Sequence, residues 1–173
     1  DDLRIYNRIL SGSEVAALYL SSIPGSLDSI NPALATVSYA FDSDSLVKNG
    51  GTSGSAYTLT NTGPVVATET SDVKVGSGAA RFSGSNAFRI ADGAPLFNPP
   101  ELSFSMWLKA KNSSSTQTIL HAKNTGVLSG WGLYVGANML SFEYQDGAGI
   151  TGITRSSSTT PIVNSTFQWY HIA

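Results

Sequence analysis

The sequence predicts an all-β fold, an antiparallel β-sandwich or barrel with one short helix near the N-terminus. From Thr36 onward, short segments alternate apolar and polar residues, as half-buried strands do. Turn-forming residues separate these segments, and Gly alone contributes 17 of the 173 residues. Helical periodicity is missing from the same stretch of sequence. Together these three observations favour many short antiparallel strands packed in layers.

Residues 1–9 form the first predicted strand. Leu3 and Ile5 alternate with the more polar Asp2 and Arg4, which is the period of a strand with one buried face. A strand at this place would put two large aliphatic side chains into a core.

A short helix is predicted directly after it, over residues 12–20. Ser11 and Glu14 have the spacing of a capping box, in which each side chain accepts a hydrogen bond from the other residue's backbone amide. Val15 and Leu18 then lie on one helix face, which we expect to be buried.

A linker is predicted at residues 21–35, where Ser, Gly, Asp and Asn surround Pro24 and Pro32. Beyond it, the longest alternation lies at residues 102–109. We expect its apolar residues to face the core and its polar residues to face solvent; they are Leu102, Phe104, Met106 and Leu108 against Ser103, Ser105 and Lys109.

Composition restricts the classes of function. The formal net charge is −2 and no cluster of Lys or Arg occurs, which argues against nucleic-acid binding. No apolar run approaches the 18 residues of a membrane-spanning helix. Cysteine is absent, and charged residues make up only 13% of the chain, about half the usual share. A surface rich in hydroxyls is typical of extracellular β-proteins, so we expect an extracellular, cell-surface or virion-surface location.

The first twenty residues carry a resemblance to a known family. The run Asp1-Asp2-Leu3-Arg4-Ile5-Tyr6-Asn7-Arg8, with the helix after it, resembles the closing motif of laminin-G-like (concanavalin A-like) jelly-roll modules. Later segments resemble the opening and middle of the same family, in the family's order; they are Tyr39–Asp42, Gly78–Gly84, Phe104–Lys109 and Trp169–Ala173.

This order, closing motif first and opening motif second, implies modules in tandem. Residues 1–20 would be the C-terminal strand and helix of a preceding module, and residues 21–35 the linker. Residues 36–173 would be the N-terminal and middle part of a second, incomplete module. We therefore expect residues 1–20 to pack in a different sandwich from residues 36–173, and both chain ends to be cut from a longer protein.

Catalysis has little support in the sequence. Hydrolases of this fold need two carboxylates about 5–10 Å apart, and the closest pair of acids is Glu143 with Asp146. Both are interpreted as solvated residues at a strand end. His121 and His171 alternate with apolar neighbours and are interpreted as hydrogen-bonded, core-facing rings. The sequence predicts that the chain is not an enzyme.

Calcium is the one cofactor that the sequence suggests. Asp42 and Asp44 lead into a Gly-rich loop that also contains Asn49, and such oxygen ligands suit a hard cation. The alternative is that Asp-Ser-Asp is an ordinary turn.

Aromatic residues are the second candidate binding feature. Trp131, Tyr134 and Tyr144 fall on predicted strands, the first two beside glycines that permit close approach of a backbone. Exposed Trp and Tyr rings stack on sugars. The alternative is that these rings pack in the core.

The sequence therefore predicts a non-catalytic binding or adhesion module that recognises glycans or partner proteins. The alternative is a structural spacer or decoration repeat that binds only neighbouring modules or copies of itself. A third possibility is an accessory module of a glycan-active enzyme. The resemblance does not separate these functions, because this fold carries all of them.

Overall fold

Antiparallel strands dominate the structure, a computed structural model that describes residues 1–21, 35–90, 100–111, 115–124, 129–146, 153–157 and 168–173. Within these ranges there are twelve strands, one α-helix and one 3₁₀ helix (Gly54–Tyr57). The all-β class is thus confirmed. The elements are β1 (Leu3–Tyr6), α1 (Gly12–Ser21), β2 (Val37–Tyr39), β3 (Thr60–Thr62), β4 (Ala67–Glu69), β5 (Ala79–Arg81), β6 (Ala87–Arg89), β7 (Ser103–Leu108), β8 (Gln117–Asn124), β9 (Ser129–Gly136), β10 (Met139–Asp146), β11 (Ile153–Ser157) and β12 (Tyr170–Ile172).

The chain divides into two compact units. The first comprises Asp1–Gly93, Pro99–Leu108 and His171–Ala173, and the second comprises Ala94–Asn98 and Lys109–Tyr170. The first unit contains a sheet in the order β12-β7-β1-β2 and two small two-stranded sheets, β3-β6 and β4-β5. The second contains a sheet in the order β11-β10-β9-β8.

Strand β1 lies inside the first sheet rather than apart from it. Ile5 is paired with Val37 of β2 on one side and with Phe104 of β7 on the other. The expectation that residues 1–20 pack in a different sandwich from residues 36–173 is therefore wrong for this chain. The backbone of β1 pairs with β2 and β7, and the side chains of β1 are buried in the same unit. That these residues close a preceding module, and that an incomplete second module follows, stay predictions. The linker predicted at 21–35 falls mostly outside the described residues.

Both faces of β1 are buried, not one. All four of its residues are buried, and helix α1 covers the face that the sequence assigned to solvent. Leu18 of α1 packs with Tyr6 and Ala35. On the same face Ser105 is only 3% exposed, so the expected outward orientation of Ser105 is wrong. Met106, on the opposite face, is buried as predicted.

Helix α1 begins at the predicted capping box. The Ser11 amide donates to Glu14 Oε2 (2.8 Å), and the Glu14 amide donates to Ser11 Oγ (3.3 Å). Arg8 adds a hydrogen-bonded ion pair, with Nη2 at 2.6 Å from Glu14 Oε1. The hydrogen bond from Arg8, followed by those from Ser11, lowers the pKa of Glu14 to about 2. The N-terminus of α1 is therefore fixed by contacts within residues 8–14.

An aromatic cluster joins α1 to the same sheet. The ring centroid of Trp107 lies 5.7 Å from that of Tyr19 and 5.2 Å from that of His171. Lys74 Nζ lies 4.4 Å from the centroid of the Trp107 ring. His171 Nε2 is 2.9 Å from Ser105 Oγ, and burial lowers the pKa of this imidazole. His171 is thus the partly buried, hydrogen-bonded ring that its apolar neighbours predict.

The small sheets do not pair the two strands on either side of residues 83–86 with each other. Instead β5 pairs with β4 and β6 pairs with β3. The intervening turn is held from both sides, since Asn86 Oδ1 accepts from the Ser83 amide and Asn86 Nδ2 donates to the Val65 carbonyl. The second bond ties the turn to Val65, in the connection between β3 and β4.

Strands β9 and β10 of the second unit form a tight hairpin. Their connection is Ala137-Asn138, and both residues have positive φ (49° and 66°), as a two-residue turn of the hairpin type requires. β8 carries a bulge between Thr118 and Leu120. This sheet has the longest strands of the described chain.

Candidate binding site

One face of the β8–β11 sheet is apolar and closed. Cross-strand partners share a face, and on β9 and β10 this places Trp131 beside Tyr144 and Leu133 beside Phe142. Trp131 and Leu133 are 3% and 1% exposed. The Trp131 and Phe142 rings stack with centroids 6.4 Å apart. This face is the packing surface of the second unit.

Four residues, one from each strand, are paired in a row across the sheet, and those of β8, β9 and β10 belong to its opposite face. In order across the sheet, His121 is paired with Gly132, Gly132 with Glu143, and Glu143 with Arg155. Since adjacent strands lie roughly 4.8 Å apart, the backbones of His121 and Glu143 are about 10 Å apart. We call this set, together with Tyr134, the polar row.

Tyr134 covers the gap that Gly132 leaves. The two residues lie two positions apart on β9 and therefore on the same face. A Cβ placed on Gly132 would lie 2.6 Å from Tyr134 Cζ and would also collide with the hydroxyl. The ring thus lies against the sheet over the glycine, an arrangement that only glycine permits. It places the Tyr134 hydroxyl between His121 and Glu143.

Glu143 is the chemically distinctive member of the polar row. Its side chain is buried, 8% exposed, while His121 on the other side of Gly132 is exposed. A carboxylate is retained at such a position only when hydrogen bonds or charges satisfy it. The polar row therefore combines a buried carboxylate, a half-buried phenol and an exposed imidazole on one side of the sheet.

The sequence interpretation of Glu143 as a solvated residue is wrong, because the residue is buried, with 8% of its surface exposed. Asp146, its proposed companion, lies three positions further along β10. The side chain of Asp146 lies outside the part of the chain that the structure describes, so this half of the interpretation stays a prediction. His121 likewise differs from its interpretation as a core-facing ring, since it is exposed.

The three predicted aromatic residues do not form one platform. Trp131 and Tyr144 lie on the apolar face, where Trp131 packs in the core and Tyr144 stays 43% exposed. Tyr134 lies on the other face, in the polar row. Core packing thus describes Trp131, and of the three only Tyr134 belongs to the candidate site. The alternating glycines beside Trp131 and Tyr134 were the sequence signal for this site.

Asp42, a predicted calcium ligand, holds a turn. Its Oδ1 accepts hydrogen bonds from the Ser77 amide (2.5 Å) and from Ser77 Oγ (3.1 Å). Gly76 has a positive φ, and a Cβ there would collide with the Asp42 carboxylate. Asp44 is exposed.

Asn49, the third predicted ligand, makes all the hydrogen bonds of its side-chain amide within the fold. Its Oδ1 accepts from the amides of Ser38 and Gly51, and its Nδ2 donates to Ser53 Oγ and the Gly54 carbonyl, all at 2.7–2.9 Å. These four bonds are all that an amide can make. Asn49 therefore has no lone pair left for calcium in this fold, and within the described ranges no three His, Asp or Glu side chains are grouped to hold a metal.

Comparisons with sequence families, with curated proteins and with solved structures found no significant match. In the portions of the chain that the structure describes, no helix is long and apolar enough to cross a bilayer.

Proposed function

We propose that this chain is a non-catalytic binding module, displayed outside the cell or on a virion, that holds glycans or partner proteins at the polar row. The observation that carries the proposal is the arrangement around Gly132: the Tyr134 hydroxyl lies over this glycine, which is paired with the buried Glu143 on one side and with the exposed His121 on the other. A laminin-G-like jelly-roll sandwich is the finer fold that we propose for it. The antiparallel sheets and the capped strand–helix unit at residues 3–21 are consistent with that fold.

The chemistry of the row suits a ligand rich in hydroxyls. A carboxylate accepts hydrogen bonds from two neighbouring hydroxyls and makes stronger bonds than a neutral acceptor. Tyr134 and His121 can each donate or accept, according to the ligand. Sugar rings and polar peptide segments both offer groups of this kind.

The row supports binding better than hydrolysis. Glycoside hydrolysis needs a second carboxylate within about 10 Å of the first. Among the residues paired in β8–β11, the polar row contains one acid, Glu143. A single buried acid flanked by a phenol and an imidazole orients a ligand without supplying the acid and base pair of a glycosidase.

A glycan array probed with the intact chain tests the proposal, followed by titration of each bound glycan against three variants. Glu143→Gln should weaken binding about 10- to 100-fold, the effect of one hydrogen bond to a charged group, and Tyr134→Phe about 2- to 10-fold, the effect of one hydrogen bond between neutral groups. The matched control Tyr144→Phe lies on the opposite face of the same sheet and should not change the affinity. Glycan binding that Glu143→Gln leaves unchanged would place the ligand elsewhere and contradict the proposal.

A structural spacer or decoration repeat is the second candidate, favoured by the edge strand β8. Among the described residues this eight-residue strand pairs on one side only, with β9. Long open edges promote association between copies. Light scattering over a concentration series tests this function: self-association that the exposed-residue change Thr118→Lys reduces would support it, and a monomer at all concentrations would oppose it. An accessory role in a glycan-active enzyme is a third proposal, which sequencing the flanking regions decides.

Calcium binding by Asp42 and Asp44, without Asn49, stays a prediction. A melting temperature that rises with added calcium and no longer rises in the Asp44→Asn variant would support it.

A further inference from the structure

The loop between β2 and the 3₁₀ helix contains a chemically reactive pair of residues, unrelated to the polar row. Asn49 is followed by Gly50, and this is the one Asn-Gly pair in the sequence. In such a pair the backbone nitrogen of the glycine can attack the side-chain amide of the asparagine, because glycine has no side chain that shields the nitrogen. An Asn-Gly pair can therefore lose ammonia without an enzyme.

The reaction needs water and no other reagent. The Gly50 nitrogen loses its proton and bonds to Cγ of Asn49, the bond from Cγ to Nδ2 breaks, and Nδ2 takes up a proton and leaves as ammonia. Water then opens the resulting ring at either of its carbonyl groups, which yields aspartate or isoaspartate in place of the asparagine. The electron pair of the broken bond leaves with the ammonia, so nothing is oxidised or reduced.

The fold holds both reacting groups away from this reaction. The Gly50 amide donates a hydrogen bond to the Ser38 carbonyl (2.8 Å), and this bond must break before the nitrogen can lose its proton. The four hydrogen bonds of the Asn49 side chain hold its amide on other partners. Asn49 is also only 6% exposed, which limits the access of water and hydroxide. The loop must therefore open before the pair can react.

The product would not fit the native loop. Nδ2 of Asn49 donates to Ser53 Oγ (2.9 Å) and to the Gly54 carbonyl (2.7 Å), and an ionised carboxylate has no proton to donate to that carbonyl. A carboxylate would also bring a charge into a buried place, which is costly. Isoaspartate adds one atom to the backbone of a loop that is closely packed, since a Cβ on Gly51 would lie 2.7 Å from the Thr36 carbonyl oxygen.

We propose that Asn49 is a deamidation site that the native fold blocks, and that its conversion in opened molecules removes them permanently from the native state. A molecule that opens briefly closes again unchanged, whereas a molecule that stays open long enough is converted. The rate of conversion in the folded protein then follows the fraction of molecules in which this loop is open. The lifetime of the folded chain thus depends on how rarely the loop opens.

Mass spectrometry tests the block. The parent protein is kept in mildly alkaline buffer, either native or unfolded in guanidinium chloride, and samples are digested after increasing times. The unfolded chain should exchange its amide group for a hydroxyl at Asn49 about 100-fold faster than the native chain. Asn61, which precedes a threonine, is the internal control and should react far more slowly than Asn49 in the unfolded chain.

Gly50→Ala is the matched control variant. A Cβ on Gly50 would meet only the Ser38 carbonyl oxygen, at 3.9 Å, so the native loop tolerates the alanine. In guanidinium chloride the alanine side chain should slow conversion of Asn49 several-fold, and this measurement does not require the variant to fold. Equal rates in the native and unfolded parent chain would overturn the proposal, and so would an unfolded parent chain that keeps its amide at Asn49.

Refolding tests whether the conversion is permanent in its effect. After dilution from guanidinium chloride, unconverted chains should regain the melting temperature of the native protein, and chains converted at Asn49 should not. Asn49→Asp, which represents the aspartate product, should melt at a lower temperature than Gly50→Ala or fail to fold. Converted chains that melt like the native protein would overturn this half of the proposal.

Discussion

At the scale of single residues, Asn49 shows how a polar side chain can organise a loop. Its amide bridges β2, through the Ser38 amide, to the turn that contains Gly51, Ser53 and Gly54. The sequence suggested a calcium ligand because Asn has the right atom in a Gly-rich loop. Sequence alone does not reveal that two backbone amides already occupy that atom.

Replacing Asn49 by Ala should destabilise the protein by about 3 kcal/mol, because several buried partners lose their hydrogen bonds together. Urea unfolding measures this change. Asn7→Ala, at an exposed position, is the control and should lie within about 0.5 kcal/mol of the parent protein. A similar, small effect of both substitutions would show that water replaces the Asn49 amide without cost.

Glu14 adds a pH dependence at the same scale. The Arg8 and Ser11 hydrogen bonds lower its pKa from 4.5 to about 2 in the folded state. A lowered pKa stabilises the folded protein above pH 4.5, and this contribution is lost as pH falls from 4.5 towards 2. Thermal unfolding should show a gap in melting temperature between the parent protein and Glu14→Gln at pH 6. That gap should shrink steadily towards pH 2, and a gap independent of pH would contradict the assignment.

At the scale of secondary-structure elements, the sequence predicted α1 and β7 correctly but did not predict how the strands pair. The capping box of Ser11 and Glu14 predicted α1, and the alternation around Met106 predicted β7. Both are short-range patterns that one element carries by itself. Which strand pairs with which depends on segments that are distant in the sequence. The hydrogen bond from Asn86 to Val65, and the pairing of β5 with β4 rather than with β6, could therefore not be predicted from the sequence pattern. The burial of Ser105 likewise follows from the helix above it.

The polar row gives an element-scale prediction. Gly132→Ala should destabilise the protein by roughly 1–3 kcal/mol, because its Cβ collides with the Tyr134 ring. In a Tyr134→Ala background the same change should cost much less, since the ring is gone; this double-mutant cycle is measured by urea unfolding. Gly136→Ala is the control, because its Cβ meets only the side chain of Thr116. Equal costs of Gly132→Ala in both backgrounds would show that the ring does not lie over the glycine.

At the scale of the whole molecule, composition predicted the class but not the arrangement. The apolar content and alternation predict a β-rich chain with a sizeable core, and the structure has one. The placement of β1 between β2 and β7 was not predictable, because the same residues serve equally well as the edge of a neighbouring module. The sequence pointed to Tyr134 but did not predict the other members of the polar row, for a related reason. Its members come from four strands, and only the register across the sheet aligns them.

Charge gives the whole-molecule prediction. The chain has 10 basic and 12 acidic residues and a pI near 5.5. So few charges give weak repulsion between copies, and repulsion vanishes where the net charge is zero. Dynamic light scattering should show the largest particles near pH 5.5 and smaller ones at pH 8. A size that does not change over this range would mean that hydroxyl groups, rather than charge, keep the protein dispersed.

The aromatic cluster around Trp107 should make tryptophan fluorescence sensitive to the state of the first unit. The indole lies between the ring of His171 and the ammonium group of Lys74, with Tyr19 from helix α1 against it. A protonated imidazole quenches a neighbouring indole, and the lowered pKa of His171 keeps that ring neutral at physiological pH. The total tryptophan emission, to which Trp107 contributes together with Trp131 and Trp169, should therefore fall on acidification, before any loss of circular dichroism. Because Tyr19 belongs to α1, the same emission should also change if α1 separates from the sheet, which gives a label-free signal for that movement.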